Sequence, residues 1–159
     1  MSGAKGDTNS GGRCRSMLGM GPGMNMSSKA AMLIVDDETN VARTLSMVFE
    51  REGFQVQTAY SCAEALRILG DKPALDVIIT DLNMEREDIG LEVARAAQQL
   101  SKRPIVVICT GYANTSNAQE ALDMQVDYLA TKPADLPELL AALNRLLALR
   151  RAQERRAAQ

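Results

Sequence analysis

A chain of 159 residues, 46% of them apolar, is long enough to bury one sizeable core and too short for two ordinary domains. Its formal net charge of −2 supplies no global positive field to hold phosphate backbones or anionic lipid, so neither nucleic acid nor a membrane surface is expected as a direct partner. Histidine is absent, which excludes Ser-His-Asp and Cys-His catalysis, His-ligated metals and any phosphohistidine carried by the chain itself, and leaves chemistry to carboxylates, hydroxyls and lysine.

Residues 1–28 hold seven of the eleven glycines, together with Ser, Asn and several Met, and show no periodicity. They are read as a disordered tail. The ordered domain is expected over 29–150, with a basic tail over 151–159. Met32–Val35 is a short buried strand, and the helix after it carries Val41, Leu45, Val48 and Phe49 at helical spacing until Glu52-Gly53 stops it. Gln55–Thr58 alternates and suits an edge strand. The second helix opens with Ser61 and Glu64 at capping-box spacing, buries Ala65, Leu66, Ile68 and Leu69, and ends at Gly70 and Pro73.

Val77-Ile78-Ile79 is a β-branched central strand running into Thr80-Asp81, and the third helix presents Leu91, Val93, Ala97 and Leu100. Ile105–Ile108 is the most apolar strand. A fourth, poorly hydrophobic helix is predicted over roughly Thr115 to Met124, then a short strand over Val126–Ala130 leading to Lys132-Pro133. The last helix starts with Asp135 and Glu138, again at capping-box spacing, and presents Leu136, Leu139, Leu140, Leu143, Leu146 and Leu147. Five alternating strand and helix units imply an α/β fold: a flavodoxin-like, doubly wound (βα)5 three-layer sandwich with parallel strand order 2-1-3-4-5.

Cys14, Cys62 and Cys109 are odd in number and form no CxxC pair, which fits neither a disulfide framework nor a zinc site. No run approaches the roughly 18 apolar residues of a membrane span, and no signal-peptide core opens the chain. A reducing, cytoplasmic setting is the expectation.

The distinctive polar residues all fall at strand C-terminal ends, where open α/β sheets place their ligands. Asp36, Asp37 and Glu38 follow the first strand, Asp81 the third, Thr110 the fourth and Lys132 the fifth. Magnesium takes oxygen ligands and is commonly held by one or two carboxylates with a phosphate; Asp37 and Asp81 offer such oxygens. With repulsion offset by a metal, an Asp acts as nucleophile toward phosphorus, Lys132 neutralises a phosphoryl oxygen and Thr110 donates to another. Each residue also has a bland role: the acidic run as a helix cap, Asp81 as a turn residue, Thr110 as a β-former, Lys132 as a solvated side chain. Their joint placement favours the chemical reading.

Over about residues 30–148 the sequence resembles the receiver domain of two-component response regulators, of the stand-alone, chemotaxis-regulator-like type. The motifs are MLIVDDE at 32–38, DVIITDLNM at 76–84, IVVICTG at 105–111 and TKPADLPELL at 131–140. The resemblance implies a metal-binding acidic pair at Asp36 and Asp37, a phosphoacceptor at Asp81, a switch hydroxyl at Thr110 and a phosphate-contacting lysine at Lys132. It further implies Mg2+ held with the help of the Asn83 backbone carbonyl, and a cis Lys132-Pro133 peptide. A histidine kinase or phosphotransfer protein is the implied donor. A protein reader is implied at the face of the fourth helix, fifth strand and last helix, and no conventional turnover is expected.

Several positions depart from that pattern. Glu85 stands where the family often has proline, and the loop through Glu85-Arg86-Glu87-Asp88 is one residue longer before Gly90. Leu129 occupies the aromatic switch position, with Tyr128 one residue earlier; in an alternating strand that offset points to the opposite face. Tyr112 lies where the family tunes hydrolysis of the phosphate. No output domain follows residue 150, so the signal is expected to pass to another protein; a fragment of a larger multidomain regulator is the alternative. A haloacid-dehalogenase-type phosphatase is a second alternative, but it wants Asp where this chain has Asn83. A flavodoxin-type flavin module is a third, though Asp36-Asp37-Glu38 would repel a flavin phosphate.

Overall fold

The structure, a computed structural model, describes residues 29–111, 119 and 122–159. The tail expected over 1–28, Tyr112 and most of the predicted fourth helix lie outside the described residues. The described elements are β1 (Ala31–Val35), α1 (Thr39–Arg51), β2 (Gln55–Ala59), α2 (Cys62–Gly70), β3 (Val77–Asp81), α3 (Ile89–Gln98), β4 (Ile105–Thr110), β5 (Tyr128–Thr131) and the C-terminal helix α4 (Leu136–Ala157). The strands form one parallel sheet in the order β2-β1-β3-β4-β5, the flavodoxin-like order that the alternation of strands and helices implied.

Side chains leave successive strand residues on opposite faces, and the core divides accordingly. Leu33, Val35, Ile78, Val106 and Ile108 pack with α2 and α3. Met32, Ile34, Val77, Ile79, Ile105, Val107 and Cys109 pack with α1 and α4. The three central strands are buried on both sides, which their unbroken apolar runs require, whereas β2 alternates exposed and covered positions as an edge strand should.

The helix ends follow local chemistry. Ser61 caps α2 and Asp135 caps α4, each accepting the backbone N–H three residues on. At the end of α1, Gly53 (φ +91°) takes the left-handed conformation, with Gly53 N donating to Glu50 O and Phe54 N to Phe49 O, both at 3.0 Å. The rings of Phe49 and Phe54 meet edge to face, centroids 5.6 Å apart, completing a Schellman stop with its hydrophobic contact. After α2 the left-handed residue is Lys72 (φ +51°) rather than a glycine.

One strand boundary differs from the sequence expectation of Val126–Ala130. β5 begins at Tyr128, because Gln125 turns the chain at positive φ (+53°) and Asp127 Oδ2 is engaged by Val106 N at 2.8 Å. Helix α4 continues past residue 150 to Ala157, so the basic residues expected to trail from 151 form an exposed helix end. Arg150 Nη1 donates to Arg103 O at 2.6 Å and Lys102 Nζ lies 3.7 Å from Glu154 Oε1, so this part of the helix lies along the body. No described helix is long and apolar enough to cross a membrane.

Candidate functional site

The alternation that sorts the core also assembles the site. Asp36 continues the series Met32-Ile34, Asp81 the series Val77-Ile79, and Lys132 the series Tyr128-Ala130; all three therefore leave the sheet on the α1/α4 side. Backbone bonds prolong the ladders by one residue at these ends: Asp36 N donates to Ala59 O at 3.1 Å, Leu82 N to Cys109 O at 2.7 Å and Lys132 N to Thr110 O at 2.7 Å.

Lys132 Nζ stands between two carboxylates, donating at 2.9 Å to Asp36 Oδ2 and at 2.9 Å to Asp81 Oδ2. The remaining oxygens are also engaged: Asp36 Oδ1 accepts from Glu38 N at 2.9 Å, and Asp81 Oδ1 from Asn83 N at 3.3 Å. Asp36 (2% exposed) and Asp81 (6%) are buried, while Asp37 is open to solvent. One oxygen from each of the three carboxylates lies within 4.8 Å of the others. The Lys132-Pro133 peptide is cis.

Burial raises the Asp81 carboxyl above its ordinary value, against the lowering effect of the Lys132 hydrogen bond and charge. Burial would push the Lys132 ammonium down, but the hydrogen bonds and charges of Asp81 and Asp36 outweigh it and hold the group above its ordinary value. Three carboxylates against one ammonium leave the site two negative charges in excess. A cluster of hard oxygen donors with that excess and one solvent-facing ligand suits a small divalent cation that keeps some of its waters. An apolar cleft of about 560 Å³, walled by Asn40, Val41, Leu45, Cys109 and Leu136, opens beside Asp81 and Lys132.

Thr110 ends β4 and is buried (1% exposed). Its place in the alternation groups it with Val106 and Ile108, not with Asp81 and Lys132. Four of the expected residues, Asp36, Asp37, Asp81 and Lys132, are thus brought together, and Thr110 adjoins them from the next strand end. The offset at β5 behaves as the pattern implied: Leu129 packs toward α2 and α3, and Tyr128 packs on the α1/α4 side with its hydroxyl donating to Glu138 Oε1 at 3.1 Å.

Two residues beside the site escaped the sequence reading. Gly90, in the first turn of α3, lies so close to β3 that a Cβ there would sit 2.0 Å from the Asp81 carbonyl oxygen; any side chain would displace the backbone that carries Asp81. Glu85 was noted only as a departure, yet its Oε1 accepts from Cys62 N at 3.0 Å, at the first turn of α2. The small residue ahead of an apolar helical stripe was a signal for the first. Nothing local signals the second.

Comparison with known proteins places these features in context. The family model described as response regulator receiver domain matches residues 32–144. The acid tolerance regulatory protein ActR of Rhizobium meliloti (strain 1021) is 37% identical over 114 residues, which are 71% of this chain and 57% of that protein; the chain thus spans little more than half the length of this relative. Among solved structures, a CheY-like receiver domain protein from Methanospirillum hungatei JF-1 superposes with a TM-score of 0.73 at 25% identity, covering 79% of this chain and 99% of that one. A response regulator from Burkholderia pseudomallei, solved with a phosphorylated aspartic acid, a calcium ion and citrate, gives a TM-score of 0.67 at 29% identity, covering 79% and 73%.

Proposed function

The chain belongs to the response regulator receiver family, and on that footing we propose that Asp81 accepts a phosphoryl group from a phosphohistidine on a separate histidine kinase or phosphotransfer protein. The observation that carries this reading is the bridge made by Lys132 between Asp36 and Asp81, 2.9 Å to each, beside the exposed carboxylate of Asp37. Asp36, Asp37, Asp81 and the backbone carbonyl of Asn83 would hold Mg2+, which when bound supplies charge neutralisation between the carboxylates and an incoming phosphoryl dianion. An Asp81 carboxylate oxygen forms the new bond to phosphorus as the bond from phosphorus to the donor imidazole nitrogen breaks. The imidazole leaves with the electron pair of that bond.

The two carboxylate partners of Lys132 hold its ammonium above its ordinary value, and it offers a cation to a phosphoryl oxygen on Asp81. Thr110 starts from the neighbouring strand end, so its hydroxyl reaches the phosphate by a movement of the end of β4 and the loop after it. That movement couples phosphorylation to the surface around the predicted fourth helix, β5 and α4, where a protein reader would dock. The protein works in the cytoplasm as a switch or relay and not as a turnover enzyme, and the counterpart of this phosphoprotein in the Burkholderia structure carries its phosphate on an aspartic acid.

The test is intact-protein mass after incubation with acetyl phosphate, with and without Mg2+, for wild type and Asp81→Asn. A single phosphate adduct requiring both Mg2+ and Asp81 is expected. An unmodified, folded wild-type protein with donor and Mg2+ in excess would refute the proposal.

A further inference from the structure

The segment between β3 and α3 carries Asn83, whose carbonyl the proposed metal shell needs, and its two ends are fixed by backbone bonds. Leu82 N donates to Cys109 O at 2.7 Å and Gly90 N to Leu82 O at 2.9 Å. Between them the chain makes a seven-residue excursion, Leu82 to Asp88, that ends at a left-handed residue, Asp88 (φ +57°). Within the loop, Asn83 Oδ1 accepts from Asp88 N at 2.9 Å, which closes it on itself but does not anchor it. Arg86 and Glu92 meet at 3.4 Å with both side chains largely exposed, a pair that contributes little.

Among the described residues, two contacts tie the middle of the loop to the body. Met84 packs against the core on the α2/α3 side, and Glu85 Oε1 accepts from Cys62 N at 3.0 Å. Cys62 is the first residue of α2, and its N–H has no partner within the helix. Ser61 already caps the N–H of Glu64, and the Glu64 side chain turns back to Tyr60 N at 2.8 Å. A carboxylate from a distant loop therefore takes a donor that the local capping residues leave over, at the helix end where negative charge is favoured.

We propose that Glu85 is a positioning residue for the metal-assisted acceptance of phosphate. By capping the first N–H of α2 it holds the loop after Asp81 in one conformation and thereby sets the Asn83 carbonyl for the cation. This rests on the receiver reading of the acidic site. A longer loop without such an anchor would sample several conformations, and the metal would bear the cost of ordering it. Glu85 takes over, through a bond to another element, the restraint that a proline would supply through its ring.

The experiment is titration of the folded protein with Mg2+ by calorimetry, alongside the rate of adduct formation from acetyl phosphate, for wild type, Glu85→Ala, Glu85→Gln and Cys62→Pro. Proline at the first helical position removes the donor while suiting the helix, and Ser61 already has the extended backbone (φ −159°, ψ 158°) that a following proline requires. Glu85→Ala and Cys62→Pro are each expected to weaken Mg2+ binding by roughly three- to tenfold, the worth of one partly exposed charge-assisted bond. Their double variant should be no weaker than either alone, and Glu85→Gln, which keeps an acceptor, should stay within about twofold of wild type.

Adduct formation should slow in proportion at low Mg2+ and recover at saturating Mg2+, a split that a general loss of stability does not produce. Wild-type Mg2+ affinity in a folded Glu85→Ala protein overturns the proposal. So does wild-type affinity in Cys62→Pro when Glu85→Ala is weakened, since the bond would then not be the cause. Should Glu85→Ala fail to fold, the other two variants decide. A wild type that binds Mg2+ but takes no phosphate would sink the receiver chemistry, while the order of Mg2+ affinities would still judge Glu85.

Discussion

Lys132 and Cys109 are close neighbours at the mouth of the sheet, and burial affects them oppositely. Lys132 has two carboxylates to compensate for leaving water; for Cys109 burial outweighs the lowering effect of the Lys132 charge and pushes the thiol up to about 12. The native state therefore holds the Cys109 proton longer than the unfolded chain does. Its contribution to stability is complete below pH 9 and is lost as the pH rises from 9 toward 12, by up to about 1.4 kcal/mol for each unit in that window. Urea unfolding at pH 8 and pH 10 should show a smaller loss across that interval for Cys109→Ala than for wild type. An equal loss in both would mean that the thiol is not shielded as described. At this scale the sequence was informative about identity and silent about pairing. That Asp36, Asp81 and Lys132 would converge followed from their strand-end positions, but that one ammonium bridges both carboxylates depends on the register of β1, β3 and β5. The bond from Glu85 to Cys62 spans 23 positions of sequence, beyond the reach of any local pattern.

Among the elements, the ends of helices are the most telling. The capping spacings at Ser61 and Asp135 correspond to actual side-chain bonds to the N–H of Glu64 and Glu138, at 3.1 and 3.0 Å. The stop of α1 at Gly53 was equally legible, because glycine is the residue that reaches φ +91° without steric cost. The stop of α2 at Gly70, ahead of Pro73, was legible too, but the left-handed position after it falls on Lys72, where a β-carbon is unwelcome. Lys72→Gly is therefore expected to stabilise the fold by about 0.5 to 1 kcal/mol, whereas Gly53→Ala should destabilise it by about 1 kcal/mol. Denaturant midpoints at constant m-value would measure both, and a destabilised Lys72→Gly would show that the lysine side chain contributes more than its backbone strain costs. The fifth strand was placed two residues early for a related reason, since the positive φ at Gln125 and the bonds of Asp127 are tertiary features that hydropathy does not encode.

At the scale of the whole fold, the sheet separates two cores that, among the described residues, share no member. Ile78 and Ile79 are adjacent in β3 but belong to opposite sides, while Ile79 faces Val107 across the β3–β4 register on the same side. Each Ile→Val change should cost about 1 kcal/mol. The pair Ile78→Val and Ile79→Val should add to within roughly 0.3 kcal/mol, although the residues are chain neighbours, whereas Ile79→Val combined with Val107→Ala should couple. Double-mutant cycles from urea unfolding would decide, and strong coupling between Ile78 and Ile79 would contradict the separation. The unbroken apolar runs of the central strands, alternating with amphipathic helical stretches, made this layered plan readable in advance; which helix covers which side had to come from the topology. A septum of this kind also bears on inheritance. Substitutions within α2 and α3 are expected to be felt on their own side of the sheet, so a hybrid that takes those two helices from one relative and α1 with α4 from another should still mature into a working whole. The graft would need one piece of luggage, the loop from Leu82 to Asp88, because Glu85 on that loop caps the first N–H of α2.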